Sequence, residues 1–307
     1  MKIIYMGTPD FAVNALESII KAGHDVVAVF SQPDKAKGRS KALVATPVKQ
    51  KALEYDIPVY QPEKARNEES VELIRNINPD AIVVAAYGQI LPESILNIPR
   101  YGCINIHASL LPKYRGAAPI EWSIINGDKK TGVTTMYMAK GIDTGDIIEK
   151  AEIDIEDSDT GASLRSKLAE LGATLILSTL TALEKGTATR TKQIESESTH
   201  VSMLNKEMGK IDFTKSAEEI ERLMRGLNPW PCAYTTIDGK SVKLFRAVVV
   251  DKEGVPGQII EVNKKDFVIA CGSKALLIKN LQPEGKKPMD TVAFLNGNKI
   301  EVGMMVG

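Results

Sequence analysis

Through the first 140 residues, short apolar runs rich in β-branched side chains alternate with stretches of helical period, and this alternation constrains the fold more than any other feature of the chain. "KIIYM" (2–6), "DVVAVFS" (25–31), "IPVYQ" (57–61), "AIVVAA" (81–86), "CINIH" (103–107) and "GVTTMYM" (132–138) read as strands. Their length and near-continuous apolar character suit strands covered on both faces. Between them, helices are expected from Pro9 and Asp10 to Ala22, from Val48 to Tyr55, from Glu68 to Ile77 and from Ala117 to Asn126. Repeated strand–helix–strand order gives βαβ units, hence an α/β domain with a mainly parallel, doubly wound sheet. Ligands of such sheets bind beyond the C-terminal ends of the strands.

A long helix from Gly161 to Lys185, stopped by Gly186, ends this pattern. The following "TATRTKQIESESTHVSM" (187–203) is polar and follows neither hydrophobic period, so residues 189–205 read as a linker between a first domain, 1–188, and a second, 206–307. A chain of 307 residues exceeds the usual size of one core, which agrees with two domains. The second begins with a helix, Ala217 to Arg225, and continues as short strands separated by turn signals. The Asp238-Gly239 pair between "YTTI" and "KSVKLF" is a strong hairpin signal. A small antiparallel β-barrel of OB-like type follows from this spacing.

Composition excludes several classes. No apolar run approaches the roughly 20 residues of a membrane helix, and "MKIIYMGTPDF" is too short in its apolar part for a signal peptide, so it reads as the first strand of a cytoplasmic protein. Cys103, Cys232 and Cys271 form no close pair and fit reduced thiols, with Cys103 a packing residue. Lys plus Arg and Asp plus Glu balance at 39 each, so net charge does not speak for or against nucleic acid. "MGTPDFA" follows a strand and opens a helix but supplies Gly7 alone, where a dinucleotide loop needs three glycines.

Only three histidines occur, and His107 sits at a strand end before the proline-broken "ASLLPKYRGAAP". Asn105, two residues earlier, lies on the same face, so an amide donor and an imidazole can converge on one substrate atom and stabilise a developing oxyanion. "GIDTGDII" (141–148) places Asp143 in a glycine-flanked loop that can return to the same sheet edge. A carboxylate there would favour the imidazolium and fix the ring. A solvated turn aspartate is the competing reading of Asp143.

Asn-x-His-x-Ser-Leu-Leu-Pro-x-x-Arg-Gly-Ala followed by Asp-x-Gly-Asp resembles the formyltransferases that use 10-formyltetrahydrofolate. The resemblance extends over nearly the whole chain, through "MGTPDFAV", "AAYGQILP" (85–92), "PDKAKGRSKALVATPVK" (33–49) and "RGLNPWPCAYT" (225–235). It implies a Rossmann-like catalytic domain, and catalytic roles for Asn105, His107 and Asp143. It also implies a folate site lined by Ser109, Leu110, Leu111 and Pro112 and by the loop Tyr87, Gly88, Gln89, Ile90 and Leu91. No metal is implied, and a monomer is expected. Within the family, the basic insertion and the C-terminal barrel resemble the branch whose acceptor is initiator methionyl-tRNA, the formyl donor being 10-formyltetrahydrofolate as co-substrate.

The insertion holds Lys35, Lys37, Arg39, Lys41, Lys49 and Lys51 against Asp34 alone. A basic loop beside an active site is suited to gripping phosphates, although a charge run is also an ordinary solvated face. Arg39 matches the family arginine implicated in the acceptor stem. From Lys206 onward 16 basic residues face 13 acidic ones, and Lys206, Lys210, Lys243, Lys286 and Lys287 are candidate tRNA contacts. Trp230, with prolines on both sides, reads as a buried or interdomain anchor. Two rivals remain at this point: a formyltransferase acting on a sugar-nucleotide amine, and a non-catalytic RNA-binding factor on the same scaffold.

Overall fold

The computed structural model describes residues 1–37 and 42–307, and the chain divides into two compact units. The first comprises residues 1–119, 131–153 and 165–201, the second residues 120–130, 154–164 and 202–307.

In the first unit the strands are β1 (Lys2–Gly7), β2 (Asp25–Phe30), β3 (Lys35–Lys37), β4 (Ala42–Val44), β5 (Val59–Tyr60), β6 (Ala81–Ala85), β7 (Cys103–His107), β8 (Arg115–Gly116), β9 (Lys130–Tyr137), β10 (Ile147–Asp154) and β11 (His200–Val201). The helices are α1 (Val13–Lys21), α2 (Pro47–Glu54), α3 (Glu68–Ile77), α4 (Glu93–Leu96), α5 (Pro119–Ile125) and α6 (Gly161–Lys185); α5 and α6 run across the boundary between the units. The main sheet has the order β10-β9-β7-β6-β1-β2-β5. β7, β6, β1, β2 and β5 pair in parallel and β9 runs antiparallel to β7, so the sheet is mainly parallel as the sequence implies.

Alternate residues of the central strands face opposite layers. Ile4, Met6, Ala28, Phe30, Ile82 and Val84 pack with Val71 and Ile74 of α3 and Ile95 of α4. On the other face, Tyr5 donates its hydroxyl to the Ala12 carbonyl at 2.5 Å, and Thr179 of α6 exchanges a hydrogen bond with Thr135 of β9 at 2.8 Å. The expected first helix opens as a 3-10 turn, Asp10–Ala12, before α1.

Much of the polar stretch read as a linker is hydrogen-bonded into this unit. Thr191 bridges Ile147, the Arg115 amide donates to the Thr199 carbonyl at 2.8 Å, and β11 pairs in parallel with β8. β10 has no counterpart in the sequence reading, because only Ile147 and Ile148 are buried and the rest of the strand is half-buried or exposed and mostly charged.

The second unit contains α7 (Ala217–Gly226), β12 (Ala233–Ile237), β13 (Lys240–Val250), β14 (Ile259–Val262), β15 (Phe267–Ala270), β16 (Ala275–Pro283), β17 (Met289–Asp290) and α8 (Thr291–Gly297). Its sheet has the order β12-β13-β16-β15-β14, with β17 also on β16, and the pairs are antiparallel. Residues 303–307 connect the two edges: the Ile259 amide donates to the Met304 carbonyl and the Gly303 amide to the Ile259 carbonyl, the Val306 amide donates to the Gly257 carbonyl, and the Gly307 amide donates to the carbonyl of Thr236 of β12 at 3.2 Å. The Asp238-Gly239 turn has φ of 50° and 70°, as a two-residue hairpin of the primed type requires. Ser216 and Glu219 form a reciprocal capping box at the start of α7, whose Ile220 and Met224 enter the core beside Leu244 and Phe267.

Trp230 overturns an expectation. It is 54% exposed and so is not a buried anchor. The turn is tight, with the Cys232 amide on the Leu227 carbonyl at 2.9 Å, and its inward positions are taken by Leu227, Pro231 and Cys232. Among the described residues no helix is long and apolar enough to cross a membrane.

Candidate active site

The end of β7 carries Asn105 and His107, and the pleat turns both toward Asp143. Asn105 Nδ2 lies 3.4 Å from Asp143 Oδ1, and His107 Nδ1 lies 3.6 Å from Asp143 Oδ2. The same Oδ2 accepts the Gly116 amide at 2.8 Å, so the carboxylate joins three chain segments. His107 is 7% exposed, and its Nε2 sits 2.9 Å from the Tyr114 carbonyl. A carbonyl only accepts, so Nε2 carries the hydrogen in this contact. The ring therefore has an acceptor on either side and cannot turn freely.

Four non-glycine residues near these groups have left-handed backbone: Ala86 (φ 46°), Tyr114 (61°), Ala118 (57°) and Asp143 (52°). Such conformations cost on the order of 1–3 kcal/mol each and persist only where surrounding contacts impose them. Two glycines explain part of that imposition. A Cβ at Gly145 would stand 1.7 Å from the Tyr137 carbonyl oxygen, and one at Gly116 would stand 2.5 Å from that of Val201. Both loops are pressed against backbone too closely for any side chain.

The folate-implied residues divide by environment. Ser109 and Leu111 are fully buried; the Ser109 hydroxyl donates to the Lys113 carbonyl at 2.7 Å, and Leu111 packs with Met136 and Ile147. Leu110 lies over Gly132, and Pro112 is half-buried. In the 87–91 loop, Gly88 and Ile90 face outward, with Ile90 76% exposed, while Leu91 is buried. Gln89 accepts the Ala65 amide at 2.5 Å and donates to the Pro62 carbonyl at 3.0 Å. Tyr87 is held by its carbonyl, which accepts from Thr8 Oγ1 at 2.9 Å, but its buried hydroxyl has no hydrogen-bond partner among the described residues. Burial pushes that phenol up to about 12. An unpartnered buried hydroxyl is a group that a polar ligand atom can satisfy.

The insertion forms a β3–β4 hairpin in which Lys35 is exposed. The Lys37 side chain, Arg39 and Lys41 lie outside the described residues. Lys49 and Lys51 need a correction, because neither is an uncompensated charge. Lys49 binds Asp34 at 2.6 Å and Gln61 at 2.7 Å, and Lys51 binds Glu54 at 2.6 Å. The Gln61 amide and the Lys49 ammonium hold the Asp34 carboxyl below its ordinary range. The sequence hid the second pair because Glu54 stands outside the charge run, and the first because Asp34 and Lys49 lie 15 residues apart.

In the second unit Lys206, Lys210, Lys243, Lys286 and Lys287 are all exposed. Lys210 bridges Tyr234, Tyr234 pairs with Lys243, and Lys243 pairs with Gln282. Cross-strand partners share a face, so these four side chains form one row across the sheet. The Gln282 amide donates to the Lys286 carbonyl at 2.6 Å, which brings the Lys286–Lys287 turn to the end of that row.

Sequence comparison matches residues 1–180 to the formyl transferase family and residues 203–299 to the formyl transferase C-terminal domain. A methionyl-tRNA formyltransferase from Lachnospira eligens is 55% identical, and one from Clostridioides difficile 48% identical, each aligned over the full length of both chains. Among solved structures, the sugar 3N-formyl transferase WlaRD superposes with a TM-score of 0.67 at 21% identity, covering 94% of this chain and 99% of its own. HypX from Aquifex aeolicus in complex with tetrahydrofolic acid gives a TM-score of 0.63 at 17% identity, covering 99% of this chain and 50% of its own. At these identities the structural matches speak for the fold alone.

Proposed function

The chain belongs to the formyl transferase family in both of its parts, and from that premise we propose that it moves the formyl group of 10-formyltetrahydrofolate onto the free amino group of methionine carried by initiator tRNA. The acceptor follows from whole-length relatives that bear the name methionyl-tRNA formyltransferase. The observation that carries the chemistry is the convergence of Asn105 and His107 on Asp143 at the end of β7.

The amine nitrogen attacks the formyl carbon, a carbon–nitrogen bond forms, and the carbonyl oxygen gains negative charge. Asn105 Nδ2–H and a His107 Nδ1–H are the donors for that oxygen, since Nε2–H is held by the Tyr114 carbonyl, and one such donor is worth about 3–4 kcal/mol of barrier. The bond to folate N10 then breaks, and the proton lost by the amine ends on N10. Asp143, through a water, is the group that relays it. Because these donors supply the charge stabilisation, the scheme calls for no metal. Ser109 to Pro112 and Tyr87 to Leu91 border the folate, with the Tyr87 hydroxyl free to meet a polar atom of the pterin. Residues 1–188 carry the reacting side chains and 206–307 hold the tRNA, while 189–205 join them and also pair Thr191 and His200–Val201 with the first part, in a cytoplasmic monomer.

Incubating the purified protein with 10-formyltetrahydrofolate and either charged initiator tRNA or a sugar-nucleotide amine tests this reading. Formyl-methionyl-tRNA is the expected product; formylation of the sugar amine alone would overturn the acceptor assignment. Absence of folate binding in calorimetry would point to a non-catalytic RNA-binding factor.

The basic hairpin and the Lys210–Tyr234–Lys243 row are the tRNA surfaces in this reading. Lys35 and Arg39 supply phosphate contacts near the reacting end. Arg39→Ala is expected to raise KM for tRNA with little change in kcat, and to reduce the salt slope of log KM by about 1, because one fewer counterion is released. Kinetics from 50 to 200 mM salt check this, and an unchanged slope would remove Arg39 from the phosphate contacts.

A further inference from the structure

The polar stretch after α6 places one side chain against the backbone that presents Asp143. Gln193 Nε2 donates to the Asp143 carbonyl at 2.7 Å and to the Gly145 carbonyl at 2.8 Å, so both amide hydrogens are committed to the loop. Its Oε1 accepts from Arg115 Nε at 3.0 Å. Arg115 is 1% exposed, and its Nη1 grips Glu195 at 2.9 Å. The Arg115 amide is fixed in turn on the Thr199 carbonyl, and the next residue, Gly116, donates its amide to Asp143 Oδ2. Asp143 is thereby held at its carboxylate from the 115–116 side and at its carbonyl from Gln193, with Arg115 joining the two holds.

We infer that Gln193 is a positioning residue for formyl transfer: its side-chain amide clamps the left-handed Asp143 loop so that the carboxylate meets Asn105 and His107. The inference rests on the formyl-transfer reading above. Asp143 at φ 52° needs such restraint, since left-handed backbone is costly for a non-glycine residue. An amide is the one common side chain that can donate twice to adjacent carbonyls while accepting from a guanidinium. A carboxylate of the same length keeps the Arg115 contact and loses both donations. Gln193 is therefore distinguishable from a residue that only fills space.

The test compares Gln193→Glu and Gln193→Ala with the wild-type enzyme in two measurements. Amide hydrogen exchange is followed at Gly116, whose N–H reports the Asp143 carboxylate, and at β1 and β6 as internal references. Initial rates give kcat and KM for folate and tRNA. In both variants Gly116 exchange is expected to rise about tenfold or more while β1 and β6 stay unchanged, and kcat to fall about tenfold or more with both KM values within twofold. Wild-type kcat in Gln193→Glu, unchanged Gly116 exchange, or equal acceleration at every amide would each overturn the positioning role. If the wild-type protein transfers no formyl group the functional reading fails by itself, and the exchange measurement still decides whether Gln193 holds the loop.

Discussion

Replacing His107 by Ala is expected to lower formyl transfer by about 10³-fold with the fold intact. The ring is an oxyanion donor in the proposed mechanism, and its nearest protein partners are the Tyr114 carbonyl and the Asp143 carboxylate. Losing one such contact at a nearly buried position costs about 1–3 kcal/mol of stability, which a domain of ordinary stability tolerates. Initial rates under saturating substrates, with melting curves alongside, check the prediction. A near-normal rate would mean that another group stabilises the oxyanion. Asn105→Ala should show a smaller loss, about 10²-fold, and the double variant should lose less than the product, because the two donors serve one atom.

Gly145→Ala should be as damaging by a different route. Its Cβ would lie 1.7 Å from the Tyr137 carbonyl oxygen and 2.8 Å from the carbonyl carbon, and backbone cannot rotate out of the way as a side chain can. The loop must move, and Asp143, two residues earlier, moves with it. Overpacking of this kind costs about 1–3 kcal/mol or more, and transfer should fall at least about 10²-fold through misplacement of the carboxylate. Gly141→Ala is the control: the atoms nearest its Cβ belong to the Thr144 side chain, whose Oγ1 and Cγ2, the two closest, move with a rotamer change. Equal activity of the Gly145 and Gly141 variants would show that Asp143 does not depend on a fixed loop.

The central strands were legible in the sequence because parallel strands buried on both faces are apolar without interruption, as "IIYM" and "AIVVA" are. The hairpin at Asp238-Gly239 was legible because its backbone demands those residues. β10, β8 and β11 were not, since an edge strand with alternating charges and two-residue pairings leave no period to detect. In the candidate site, Asn105 and His107 could be paired from strand geometry, whereas Asp143 joined them through the family resemblance. Gln193 lay in a stretch without pattern, and nothing local distinguishes an amide that binds solvent from one that binds two carbonyls. Trp230 and Lys49 were misread for a related reason: exposure and ion pairing are decided by residues elsewhere in the fold.

The pairing of β11 with β8 also sets when a newly made chain can become competent. Asn105 and His107 are synthesised early, but Arg115 and Gly116 are fixed only once Thr199 to Val201 arrive beside them. At bacterial and eukaryotic elongation rates the ribosome takes roughly 5 to 20 s to travel from His107 to Val201. During that interval the nascent chain carries its reactive histidine in a half-built cradle, and the last strand of the unit to be translated is the one that closes it.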